Sequence, residues 1–145
     1  MRAMTRELDN LTAQRQLKAE PSSTKEVDEL LRRTATLITD ARRADLAPTS
    51  RFALAYDAAF TLASAALRLR GYRADAERGH RAIVFQTLPH TVGAPDGLWT
   101  ALVAAHRRRN AVEYTGAVAA SKAEVDDLLE QVKALDALLR KAARG

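Results

Sequence analysis

Along most of the chain the apolar residues recur three or four positions apart, the spacing of one face of an α-helix. Val27, Leu30, Leu31, Leu37, Ile38 and Ala41 form one such stripe, introduced by Ser23-Thr24-Lys25-Glu26 with the Ser and Glu of a capping box and ending before Pro48. The next helix is predicted to start after Thr49 or Ser50 and to run to Gly71, a suitable C′ glycine. Its sequence, RFALAYDAAFTLASAALRLR, is apolar on more than one face, as the central helix of a bundle is. A loop over Gly71 to Gly79 leads to a shorter helix from His80 with Ile83, Val84 and Leu88, which stops at Pro89, and PHTVGAPDG reads as another loop. A fifth helix begins near Pro95 or Asp96, carries Trp99, Leu102, Val103 and His106 on one stripe, and ends near Gly116. The last opens on a second capping box, Ser121 to Glu124, and lines up Val125, Leu128, Leu129, Val132, Leu135, Leu138 and Leu139. Ahead of all these, Thr5 to Glu20 holds only Leu8, Leu11 and Leu17 before Pro21-Ser22-Ser23, and reads as an appended arm. The expected fold class is all-α: a single bundle of four to five helices over residues 23–145, with an N-terminal helical arm over residues 1–22.

Composition strengthens that assignment. The chain of 145 residues has 30 Ala and 19 Leu against 8 Val and 2 Ile, so helix formers far outnumber β-branched residues. Its length suits one domain able to bury a core unaided. With no cysteine, disulfides, thiolate metal sites and cysteine nucleophiles are excluded. No uninterrupted apolar run suggests a membrane span, and MRAMTRELDN does not resemble a signal peptide, so a soluble, cytoplasmic protein without a membrane partner is expected. The net charge of +5 permits nucleic acid as a partner without demanding it. Of the 23 basic residues 18 are Arg, whose planar fork suits phosphate and carboxylate.

Chemistry concentrates in one string. His80, His90 and His106 are not spaced as metal ligands, and no phosphate loop or nucleophile elbow occurs, so neither a metal nor a cofactor is expected. The stripe of the fifth helix, however, turns polar in its last turns, His106-Arg107-Arg108-Arg109-Asn110-Ala111-Val112-Glu113-Tyr114. Asn110 and Tyr114 share a face, as do Arg109 and Glu113, while Arg107 and Arg108 point more to the other side. Polar groups on a core-facing stripe are costly unless paired or functional. Arg109 pairing with Glu113 or Asp57 to buttress the bundle end is one reading; an anion or nucleotide site at a bundle end or subunit interface is the other.

RRRNAVEY resembles the signature of HEPN domains, small helical bundles often encoded beside minimal nucleotidyltransferases. AYDAAFTLASAALRLRGYR, with Tyr56, a small-residue ladder and Gly71, resembles the family's third-helix pattern, and His80 to Leu88 fits as well; in the arm, QLKAEP resembles a bacterial HEPN-like subgroup with the RN-x-x-E-Y ending. The resemblance covers Ser23 to Arg140. In ribonuclease members an Arg and a His act without metal on RNA at a dimer interface. Carried over, Arg109 matches that Arg and Asn110 the polar residue after it, and Tyr114 stands where the His would be; aligning Arg107 instead puts Val112 there. Imidazole titrates near about 6.5 and can exchange protons at neutral pH, whereas a phenol near about 10 rarely does. His106 precedes the Arg and reads as a poor substitute. The resemblance therefore implies a homodimeric binding protein, with Trp99 near the dimer contact. It would act as the non-catalytic antitoxin or accessory partner of a nucleotidyltransferase-type toxin and hold RNA or nucleotide phosphate through Arg107, Arg108, Arg109, Asn110, Glu113 and Tyr114. The alternative is a ribonuclease toxin using Arg109 and Tyr114.

Overall fold

The computed structural model describes residues 2–75, 81–114 and 119–145, the side chains of residues 2–5, 113 and 114 excepted. Helix α3 (Pro48–Leu69) is the axis of the fold. Helices α2 (Thr24–Ala41) and α7 (Lys122–Arg144) pack along it, and α6 (Asp96–Tyr114) and the single turns α4 (Ile83–Gln86) and α5 (Leu88–Thr91) cover it elsewhere. The all-α bundle predicted from periodicity is thus the observed architecture. The reason α3 is central lies in its side chains: Ala55, Ala58, Ala59, Ala63, Ala65 and Ala66 are all fully buried. Small residues let neighbouring helices approach closely, and a helix enclosed on most of its sides gains from being apolar on more than one face. By length and composition alone α3 could cross a membrane, but 67% of its apolar stretch is buried inside the fold, as in the core helix of a bundle.

Local signals set the helix ends. Pro48 starts α3 at its first turn, where its missing N–H costs nothing, and Gly71 takes φ 85° beyond the Arg70 C-cap. Ser121 and Glu124 form a complete capping box on α7. At α2 only half of the expected box forms: Ser23 Oγ accepts from the Glu26 N–H, but the Glu26 carboxylate goes to Arg68.

Two expectations are corrected. The helix predicted to stop at Pro89 is two turns hinged at Thr87, with Pro89 inside the second; a proline in a first turn breaks no helical bond, and its His80 start lies outside the described residues. The N-terminal segment is no detached arm. Helix α1 (Arg2–Ala13) docks on α5, and strands β1 (Leu17–Ala19) and β2 (Tyr72–Ala74) pair antiparallel, Lys18 opposite Arg73. Leu8 and Leu17, each 2% exposed, belong to the core. Arg68 fastens this segment. Its Nε and Nη2 donate to the Glu26 carboxylate at 2.9 and 3.1 Å, Nη1 to the carbonyls of Glu20 and Tyr72, and Nη2 also to that of Pro21. All five N–H groups thus have an acceptor, which is what lets a guanidinium sit only 4% exposed. Tyr72 adds a short hydrogen bond to Asp9; burial first, then that bond, pushes its phenol to about 12.

Candidate functional site

The polar turns of α6 close over an aromatic cluster carried by α3 and α4. Tyr56 and Phe60 lie one turn apart on α3, and Phe85 meets them edge-on from α4 at centroid distances of 6.0 and 6.3 Å. His106 completes the cluster, 5.9 Å from Tyr56 and 6.4 Å from Phe85. These elements meet because α3 is apolar all round and the α6 stripe continues through His106. Tyr56, fully buried, needs a partner for its hydroxyl and finds it in His106 Nδ1 at 2.8 Å. Asn110, one turn further along α6, places Nδ2 3.3 Å from His106 Nε2. A neutral imidazole offers one donor and one acceptor, so with Asn110 donating to Nε2 the ring donates from Nδ1 to Tyr56.

Two guanidiniums cap the cluster. Arg109 lies over the Tyr56 ring at 5.2 Å and Arg81 over the Phe60 ring at 4.6 Å, so each cation rests on an aromatic face. Their field reaches both titratable groups. Burial first, then the positive charges of Arg109, Arg81 and Arg107, hold His106 below its ordinary value, and the ring is neutral at neutral pH. Burial raises the Tyr56 phenol, a rise that the charges of Arg81 and Arg109 and a hydrogen bond from Arg81 only partly offset, so it stays protonated. The result is an uncharged hydrogen-bonding pair under two cations. Such a place favours an entering anion and contains a base able to accept a proton.

The candidates read from the sequence separate in space. Arg109 and Asn110 belong to this cluster. Arg107 is exposed and adds only its charge. Arg108 is structural: its Nε and Nη2 take the Glu124 carboxylate at 2.6 and 3.1 Å, tying α6 to the first turn of α7. The Arg108 hydrogen bond, helped by the Ser121 N–H, lowers Glu124 to about 2. The side chains of Glu113 and Tyr114 lie outside the described residues, and Asp57 is exposed on α3. Sequence reasoning passed over Tyr56 as a site residue, together with Phe60, Arg81 and Phe85, and set His106 aside. The available signal was the His106–Asn110 spacing of one turn on the core-facing stripe. Among the described residues no group of acidic and imidazole side chains is placed to hold a metal ion. Trp99 is half-buried, its indole N–H donating to Asp96 at 3.0 Å. No family model matches the chain, and no curated protein or solved structure matches it either.

Proposed function

We propose that the protein is a HEPN-like binding protein that takes a phosphate group of RNA or of a nucleotide at the cap of Arg81 and Arg109. The observation that carries this reading is the two guanidiniums on the aromatic cluster, Arg109 over Tyr56 and Arg81 over Phe60, beside the neutral Tyr56–His106 pair. The ring contact holds each guanidinium in place before a ligand arrives, which reduces the ordering cost of binding. The dimer, and the role as antitoxin or accessory partner of a nucleotidyltransferase-type toxin, rest on the sequence resemblance. Fluorescence anisotropy with a short single-stranded RNA tests the site: Arg109→Ala and Arg81→Ala each weaken binding about tenfold, and wild-type affinity falls with added salt. Unchanged affinity in both variants refutes the site. Light scattering at micromolar concentration tests the dimer, and a monomer mass refutes it.

The His106–Tyr56 contact favours a second reading, the metal-independent ribonuclease. A neutral His106 is in the form that removes a 2′-hydroxyl proton, and the long Asn110 contact leaves Nε2 open to displacement by substrate. Arg109 would then stabilise the phosphorane charge, with Tyr114, whose side chain lies outside the described residues, as the expected acid. RNA cleavage that disappears in both His106→Ala and Arg109→Ala selects this reading; binding without cleavage selects the first.

A further inference from the structure

Beside the aromatic cluster runs a groove of about 500 Å³, within the size range of small-molecule sites. Leu67 and Val84, both buried, form its floor, and Leu30 and Phe60, half-buried, its walls. Among the described residues its charged lining is Arg68, Arg73 and Arg81 with Glu26 and Asp75, and Glu20, paired with Arg73 and 3.4 Å from Arg68, brings the count to three of each sign. Two of these guanidiniums are engaged within the chain. Arg68 has its five acceptors, the Glu26 carboxylate among them, and Arg73 Nε donates to Glu20 at 2.6 Å. Arg81 is exposed, lies over the Phe60 ring at 4.6 Å and hydrogen-bonds Tyr56.

We propose that this groove binds a small amphipathic monoanion, its hydrocarbon body on Leu30, Phe60, Leu67 and Val84 and its carboxylate on Arg81. Two features select this ligand. An apolar surface of this size, left open by the side chains of the described residues, gains from covering by a hydrocarbon of several carbons. Arg81 carries five N–H donors, of which the Tyr56 hydrogen bond needs one, and a charged hydrogen bond from the others is stronger to a carboxylate than to a neutral head group. Because Arg81 also caps the Tyr56–His106 pair, a carboxylate drawn to it competes with phosphate for one cation.

Octanoate is the probe, titrated into the full chain labelled with ¹⁵N and followed through amide shifts, without RNA, so the outcome does not depend on the phosphate site. Octylamine and octan-1-ol provide the charge comparison. Octanoate is expected to give saturable shifts at Ser64, Ala74 and Val84, with octylamine and octan-1-ol at least about tenfold weaker, the worth of one charged hydrogen bond. Arg81→Gln lowers octanoate affinity about tenfold, to the level of the alcohol. Ser64→Trp, which fills the groove from half-buried α3 backbone, abolishes binding; Ala74→Trp does the same from β2 if the first variant unfolds. Absence of saturable shifts, equal binding of octylamine, or an unchanged affinity in Arg81→Gln overturns the proposal.

Discussion

Arg68 and Arg81 both line one groove against α3, yet the fold treats them in opposite ways. Arg68 is sunk into the protein and every N–H is taken by a carboxylate or carbonyl of the chain itself. Arg81 stays exposed and is placed by the face of a phenyl ring, as Arg109 is by Tyr56. A buried cation is tolerated only when its desolvation is offset by good acceptors, and acceptors so used hold distant chain segments together. A cation resting on a ring is oriented without being buried. The first arrangement stabilises the fold; in the second Arg81 stays at the surface, where a ligand can reach it. Arginine count and net charge do not distinguish them.

The comparison is easiest to break through stability. Arg68→Ala leaves Glu26 and three carbonyls short of a donor and should cost about 3 kcal/mol, the lower end for a broken buried pair because Glu26 keeps some hydration. Arg81→Ala, which removes an exposed ring contact and a hydrogen bond to Tyr56, should cost only about 1 kcal/mol. Urea denaturation of both variants checks this, and equal losses would erase the distinction. In binding the order reverses. Arg81→Ala loses about tenfold in RNA affinity. The milder Arg68→Lys, wherever it folds, should leave anisotropy titrations unchanged.

A smaller effect tests the polar pair beneath the cations. Tyr56→Phe removes the hydroxyl from His106 Nδ1 and should cost about 1 kcal/mol, one net hydrogen bond. Nitrogen shifts of the His106 ring should report a changed tautomer balance in the same variant. No change in either would mean that the hydroxyl does not orient the ring.

The smallest effects lie in pH dependence. A histidine whose folded value is depressed binds fewer protons in the native than in the unfolded state below its ordinary 6.5. Native stability therefore falls as pH drops from 6.5 through the lower folded value, and the His106→Gln variant should lose that component. The Glu124 contribution is full above the unfolded 4.5 and is lost as pH falls towards about 2. Glu124→Gln should flatten that lower window alone. Thermal unfolding across both windows separates the two.

Helix type, order and several ends were legible in the sequence because they depend on local spacing. The 3.6-residue stripes, Pro48, Gly71 and the Ser121–Glu124 box act within a turn or two of themselves. The all-round apolar α3 likewise announces its central place. Arg109 and Asn110 were found from the stripe that turns polar, since helical geometry alone puts them on the core-facing side. What no local rule supplies is which partner a polar side chain meets across the fold. Glu26 abandons its capping box because Arg68, 42 residues away, offers a charged hydrogen bond. Leu8 and Leu17 look too sparse for core until β1 pairs with β2 and α1 docks on α5. His106 gains its meaning from Tyr56, 50 residues distant, and its neutrality from burial together with Arg81 and Arg109. Hydrophobic periodicity is a property of neighbours along the chain, whereas a hydrogen bond, a ring contact or a shifted proton affinity depends on neighbours in space, and only packing of the bundle assigns those.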